Sequence, residues 1–427
     1  MRSTAILTGL LPAAFAAALA TTDPADAGVA LDWQDIARTA MRESNWSPHE
    51  QLRGLTILNI ALFDAANGVA GRFSAYALTG EPLAGGSEAA AASEAAFRVL
   101  SVFLPDQVQA LAARRDDLLA RHAGSGDLSA SLALGERAAE AVLAARAADG
   151  ADFGGDYTEP PQAPGVYRRT SDKPMVLPNI SAMRPYVLAA PDALLPPSPP
   201  SLDSAQFQRD LAEVRESGGL ESQTDPEKVM IARLHAGSGA AAWIQIGEGL
   251  LSRCDLPVVE EARALALLTL AMSDTLISGM TAKYRYNFWR PITVIHEGGA
   301  GFSRPDIAPD TSWAPVLETP RHPEYPCQHC ANGSAAQGAL EAVFGTGPVH
   351  FTFAGDRGLA GDYTSLRAFA EEEAQSRIYG GAHFRWSNVA GSALGAQVAA
   401  KVVAALAPRA EAAPVTDLSA SGCLARQ

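Results

Sequence analysis

Val259 to Tyr286 reads VEEARALALLTLAMSDTLISGMTAKYRY, and Asn287-Phe-Trp-Arg290-Pro291 follows it. Apolar residues recur there at three-and-four spacing with no strand-like alternation, so the stretch predicts a long α-helix. Its middle, Arg263 to Met280, is the part most like a membrane span. It carries Asp274 and is bounded by charge, which predicts instead a helix buried in a bundle. The same spacing marks Gln51–Val69, Ser87–Phe103 and Leu128–Ala148 in the first half, and Pro226–Gly247, Gln337–Phe344 and Gly391–Leu406 in the second. Strand-like runs are scarce, so the expected fold class is all-α, built as two packed helical bundles.

Between the halves, residues 151–204 are dense in Pro, Gly and Tyr, and the run Leu195-Pro-Pro-Ser-Pro-Pro-Ser201 cannot continue a helix. The segment is too aromatic and apolar for pure disorder, so an ordered connection over the bundle surface is expected. The layout is then a leader at 1–27, a helical half at 28–150, the connection, and a second half at 205–427. The halves echo each other in order. Leu58-Asn-Ile-Ala-Leu-Phe-Asp64 resembles Leu268-Thr-Leu-Ala-Met-Ser-Asp274, Ser93–Phe103 resembles Ser334–Phe344, and Ser131–Ala145 resembles Gly391–Ala405. A duplicated helical half would produce this.

Met1-Arg2 followed by the small apolar run Ala5–Ala20 has the form of a secretory signal peptide. Both Ala18-Leu19-Ala20 and Ala25-Asp26-Ala27 offer small-x-small cleavage sites, so a secreted or periplasmic protein is expected, with no membrane span after the leader is removed. A net charge of −14 argues against nucleic acid and anionic membranes as partners, and any anionic substrate needs a local cationic pocket. Cys254, Cys327, Cys330 and Cys423 allow three complete disulfide pairings, among which the sequence does not choose. It does not give the oligomeric state either.

Three polar elements in the second half carry chemistry. Lys283 and Arg290 are seven apart, a spacing that places them on one helical face about two turns apart. Four of the six residues between them are aromatic, which speaks for a packed anion site over a solvated face, and Pro291 marks a helix break beside Arg290. Tyr325-Pro-Cys-Gln-His-Cys-Ala-Asn-Gly333 sets Cys327 and Gln328 at a helix N-terminus, where free amides favour an anion, with His329 beside it. Ser376-Arg377-Ile-Tyr-Gly-Gly-Ala-His383-Phe-Arg-Trp-Ser387 adds a third cation before a Gly380-Gly381 turn and a second imidazole at a helix start. Each histidine alone reads equally well as a satisfied interior residue. Cys327-Gln-His-Cys330 also has the form of a redox dithiol, but the strand that normally precedes one is missing, and no second paired motif supports a zinc site.

Together these elements resemble the superfamily of bacterial acid phosphatases, vanadium-dependent haloperoxidases and type-two phosphatidic acid phosphatases. Its pattern is Lys, six residues, Arg-Pro; then Pro-Ser-Gly-His; then Ser-Arg, five residues, His, three residues, Asp. Lys283, Arg290-Pro291, Pro326, His329, Ser376-Arg377 and His383 match in order and spacing. Phe63-Asp64-Ala65, Met183-Arg-Pro185 and Pro323-Glu-Tyr-Pro326 extend the likeness more loosely. Cys327-Gln328 stands where the family has Ser-Gly, and Ser387 where it has the Asp that orients the second histidine.

The resemblance implies that Lys283, Arg290 and Arg377 neutralise the oxygens of a vanadate or phosphate, with Cys327 and the amides near Gln328 completing the cradle. His383 would bond the central atom, as the vanadium ligand, with Ser376 and Ser387 in support. His329 would be the acid or base opposite it. With vanadate as cofactor, peroxide would drive halide oxidation; with a phosphate ester, His383 would form a phosphohistidine. A soluble exported chain of this length looks more like the haloperoxidase branch, while a free Cys327 thiol would sit badly with peroxide. A weakly active or binding-only relative is the third expectation.

Overall fold

The computed structural model describes residues 28–122, 124, 126–221, 225–237, 239–355, 358–412, 414–418 and 422–425. The expected leader, residues 1–27, lies outside them. Among the described residues the first half forms α1 (Val29–Glu43), α2 (Pro48–Ala70), α3 (Glu88–Phe103), α4 (Val108–His122) and α5 (Leu128–Arg146). The second half forms α6 (Ala205–Ser217), α7 (Pro226–Leu234), α8 (Gly239–Leu251), α9 (Val258–Tyr286), α10 (Pro291–Glu297), α11 (Gln328–Phe344), α12 (Leu366–Tyr379) and α13 (Arg385–Ala405). One antiparallel hairpin, β1 (Phe351–Ala354) with β2 (Ala360–Tyr363), lies between α11 and α12.

The caps explain many of the helix starts. Ser47 opens α2 with a reciprocal capping box to Glu50, and Ser87, Asp127, Ser204 and Ser365 each accept an amide of the helix they begin. Two boundaries depart from the sequence pattern. Pro226–Gly247 is broken between Leu234 and Gly239, giving α7 and α8 in place of one helix. Helix α9 ends at Tyr286, where Asn287 turns left-handed at φ 47°, so Arg290 is not on the helical face of Lys283. It returns as the residue that precedes α10, with Pro291 at the first helical position, where no amide is needed.

Helix α9 is long and apolar enough to cross a membrane, but it is the buried spine of the protein, and it packs against α2, α11 and α13. The two halves repeat one arrangement around it: α2, α3 and α5 pack together as α9, α11 and α13 do. Asp64 on α2 accepts the amides of Tyr76, Ala77 and Leu78 at 2.7, 2.7 and 2.9 Å. Asp274 on α9 accepts those of Tyr186, Val187 and Leu188 at 2.6, 2.8 and 2.9 Å. Gly135 of α5 lies so close to α3 that a Cβ would meet the Ala91 carbonyl at 2.3 Å, and Gly395 of α13 stands in the same way against Ala331 of α11, at 2.0 Å. A side chain at either position would push the helix pair apart.

The connection is ordered. It buries Tyr167, Leu177, Ile180 and Met183, and it delivers the three amides that Asp274 holds. Beyond the main core, Phe207, Phe288, Trp289, Phe384 and Trp386 form a separate aromatic cluster, with Phe384 and Trp386 stacked at 4.2 Å. This cluster clamps the chain on either side of Arg290 and His383.

Because three amides depend on each buried carboxylate, replacing Asp64 or Asp274 with Ala is expected to destabilise the protein by about 2–3 kcal/mol each, read by denaturant unfolding. Equal losses at the two sites would match the repeated arrangement; a loss below about 0.5 kcal/mol at either would show that the amides find other partners.

Candidate anion site

Lys283, in the last turn of α9, is fully buried. Its Nζ donates to the carbonyls of Pro323 at 3.1 Å and Glu324 at 2.9 Å, and also to that of Pro326. All three ammonium donors are thereby used on the loop that leads into α11. The residue supplies charge to the site but no free donor.

Arg290 is equally buried and spans two loops. It donates from Nε and Nη2 to the His322 carbonyl at 3.1 and 2.9 Å, and from Nη1 to the Ala382 carbonyl at 2.8 Å. Its Nη1 also lies 3.2 Å from His383 Nε2, and its Nη2 lies 3.1 Å from His322 Nδ1. A guanidinium only donates, so His383 Nε2 accepts. The neutral His383 ring therefore carries its proton on Nδ1, which donates to Glu324 Oε1 at 2.8 Å. Its single lone pair, on Nε2, faces the cations. His322 Nδ1 lies between Arg290 Nη2 and the Pro323 carbonyl, at 3.1 and 3.2 Å.

Glu324 thus does the work expected of an Asp at position 387. Ser387 Oγ lies only at the limit of hydrogen bonding to His383 Nδ1, 3.5 Å. Glu324 Oε1 accepts the Phe384 amide at 3.1 Å as well, while Oε2 takes no hydrogen bond. Burial pushes Glu324 up to about 7, against the pull of Arg290 and Lys283. A proton taken up below that value fits on Oε2 without breaking the contact to the ring.

Helix α11 begins at Gln328 with Cys327 as its cap. The described cysteines are all paired, as Cys327–Cys330 and Cys254–Cys423. Cys327 is therefore no free thiol and a cysteine metal site has no thiolates here, while the burial of both sulfurs keeps the pair from exchanging with a thiol partner as a redox dithiol must. The bulk of Gln328 does not enter the cradle. Its Nε2 donates to the Thr275 carbonyl at 3.2 Å and to Asn332 Oδ1 at 2.8 Å, and its amide lies over Gly279, where a Cβ would meet Oε1 at 2.3 Å. A glycine on α9 makes room for the side chain that α11 gained. Ser376 turns away too, donating to the Glu373 carbonyl of its own helix at 2.6 Å.

Arg377 and His329 meet the break between α7 and α8. Arg377 Nη1 donates to the His235 carbonyl at 3.3 Å, and His329 Nε2 donates to the Gly237 carbonyl at 2.9 Å, leaving Nδ1 as the acceptor. Both line a cleft of about 660 Å³ together with His322, Arg321 and Arg233. Arg377 is 2 % exposed and its Nε has no partner. Behind it Glu373 is buried, accepting the Trp243 indole at 2.8 Å.

The charges converge. Burial, and then the neighbouring cations, hold Lys283 and His383 well below their usual values, and Arg377 is lowered to about 10. Burial chiefly lowers Arg290 to about 10, opposed by Glu324. Burial and the Arg377 charge bring His329 down to about 3, so it is neutral across the physiological range. Glu324 and Glu373 are both pushed towards the protonated form by burial, so they only partly offset three buried cations. The excess positive charge and the orphaned Arg377 Nε are what an oxyanion would complete.

Of the predicted site residues, Lys283, Arg290, Arg377, His383 and His329 converge here, and Cys327 and Gln328 frame the helix start without offering side-chain donors to it. In the sequence Glu324 stands only as part of the loose Pro323-Glu-Tyr-Pro326 likeness, and His322 and the His235–Gly237 carbonyls belong to none of the three polar elements. A charged residue between prolines, in Pro323-Glu-Tyr-Pro326, was the available sign of the first, and His-Ala-Gly at 235–237 that of the last.

Residues 263–410 match the family model for the VCPO second helical-bundle domain. The fold is similar to that of a bacterial vanadium-dependent iodoperoxidase, at 25% identity and a TM-score of 0.72, over 89% of this chain and 96% of that one. It also resembles the holo and apo forms of a bacterial vanadium-dependent chloroperoxidase, each at 18% identity. The holo form has a TM-score of 0.64 over 89% of this chain and 94% of that one, and the apo form 0.61 over 83% and 93%. No curated protein sequence matches.

Two measurements check the site. Mass analysis without reduction should find no free thiol at Cys327 or Cys330. Sulfate, whose charge is constant near neutrality, should bind about tenfold more weakly at about pH 8 than at about pH 6, because Glu324 gains its negative charge in that interval. In Glu324→Gln the affinity should stay level. An unchanged slope in that variant would mean that Glu324 is not the titrating group.

Proposed function

We propose that this chain, which belongs to the vanadium-dependent haloperoxidase superfamily, is an exported enzyme that holds a vanadate-type oxyanion and uses peroxide to oxidise halide ions. The observation that carries the reading is the fixed tautomer of His383. Glu324 takes the proton on Nδ1, so the one lone pair of the ring lies on Nε2, among three buried cations, and its 3.2 Å contact with Arg290 Nη1 would be exchanged for the bound oxyanion. A ring held in this way is suited to bond the central atom of an oxyanion.

The donor set fits the group. Arg377 brings an unpartnered Nε, Lys283 and Arg290 bring charge, and the first turn of α11 brings a helix N-terminus. A vanadate held there by these residues would supply a Lewis-acid centre for peroxide. His329, neutral and with its Nε2 proton held by Gly237, acts as a base at Nδ1. The cleft that reaches Arg377 and His329 gives small reactants a path, and its cations attract halide despite the net charge of −14.

The Cys327–Cys330 disulfide supports peroxide chemistry, because it removes the thiol that would be oxidised beside the site. Two disulfides also suit an oxidising compartment and hence export.

The test is to give purified protein vanadate, peroxide and iodide or bromide, and separately a chromogenic phosphate ester. Halide oxidation should require vanadate and should fall about 10²–10³-fold in Arg377→Gln, with the fold retained. Ester cleavage inhibited by vanadate, without halide oxidation, would replace this reading with the phosphohistidine phosphatase. Vanadate binding without turnover would leave a binding-only relative. Lys283→Ala is the poorer variant, since it orphans three buried carbonyls and should unfold the loop before α11.

A further inference from the structure

We propose that the leader is cut between Ala27 and Gly28, and that the α-ammonium group so created is a structural ion-pair partner of the buried Glu261. This inference concerns maturation of the chain and does not depend on the reaction at His383.

Glu261 lies in the first turn of α9 and is 5% exposed. Its Oε2 accepts the Ala30 amide at 2.9 Å, and the amides of Gly28 and Leu31 also turn to the same carboxylate. No Lys, Arg or His side chain pairs with it among the described residues. The charged neighbour that acts on it is Asp32, of the same sign and itself paired with Arg121. Burial accordingly raises Glu261 to about 7. A carboxylate so enclosed, at the start of the spine helix, lacks a counter-charge.

Helix α1 supplies the complementary anomaly. Gly28 is its N-cap, and no side chain caps the helix locally, so a carboxylate from α9 does that work. A Cβ on Gly28 would lie 2.3 and 2.4 Å from the two Glu261 oxygens. The Gly28 φ of −74° is open to any residue, so what a side chain here would meet is the carboxylate, not a backbone restriction. The nitrogen that becomes the chain terminus after cleavage at Ala27 already faces Glu261.

The covalent step is hydrolysis by a leader peptidase. One water is consumed, the C–N bond between Ala27 and Gly28 breaks, Ala27 departs as a carboxylate, and the Gly28 nitrogen becomes an amine that takes up a proton at neutral pH. Ala25-Asp26-Ala27 is the small-x-small site that places the cut there. Cleavage after the rival Ala18-Leu19-Ala20 would leave Gly28 an ordinary amide. Converting that amide to an ammonium exchanges a neutral hydrogen bond for a charge-assisted one and gives a buried carboxylate its counter-charge. Folding of α1 onto α9 then becomes coupled to removal of the leader.

The full chain is expressed with its own leader, recovered outside the cytoplasm and sequenced from its N-terminus, which should read Gly28-Val-Ala. In parallel, the chain beginning at Gly28 is compared with one that retains Ala27, both released from a fusion partner. The Gly28 form should melt about 2–5 °C higher. That difference should vanish when its α-amine is acetylated, and again when both forms carry Glu261→Gln. Because acetylation leaves the fold of the native side chains intact, it decides the matter even if the Gln variant does not fold. Exported protein that begins at Thr21, or equal melting of the two forms with Glu261 present, would overturn the proposal.

Discussion

The site depends on a lysine ammonium with no access to water. Removing the Lys283 charge from solvent is costly, and it is tolerated because three backbone carbonyls of a single loop converge on it. The loop from Pro323 to Pro326 is thereby fixed to the end of the spine helix. That loop aims Glu324 at the ring of His383 and delivers the chain into α11, whose second residue is His329. Charge, tautomer and helix N-terminus are consequences of one anchoring point.

The frame around this anchor is a repeated one. Asp64 and Asp274 each gather three successive amides of a following segment, and Gly135 and Gly395 each allow a close helix crossing. What differs is the polar filling. In the first half the start of α3 is capped by Ser87 and that of α5 by Asp127, with ordinary local hydrogen bonds. In the second half the corresponding region has received three cations, three imidazoles and two carboxylates. The helical frame carries the burial that makes those charges strongly interacting, while the segments between helices decide whether any chemistry exists.

The three departures from the family pattern are absorbed by parts of the structure that do not adjoin them in sequence. Cys327 is closed into a disulfide, Gln328 lies over Gly279 of α9, and the missing carboxylate at position 387 is replaced by Glu324 from another loop. Each change would damage a site read as a linear motif. In three dimensions the requirement is for a small or satisfied group, a space, and an acceptor at Nδ1, and the chain meets each by a different route.

The sequence by itself determined the helical class, the buried character of α9, the echo between the halves, and the set of cations and histidines that meet. Those features follow from periodicity and from residue type, which are local properties. The seven-residue spacing of Lys283 and Arg290 misled on geometry, because Asn287 could end the helix in a left-handed turn and Arg290 could rejoin the site from a separate element. The break after α7 was hidden by helix-like spacing on both sides of it. Glu324, His322 and the carbonyls of His235 and Gly237 acquire their roles only from segments distant in the chain, and so do the Cys254–Cys423 pairing and the tautomer of His383. Hydrogen-bond direction in a buried site is settled by which donors and acceptors arrive together, and that is a property of the tertiary structure alone.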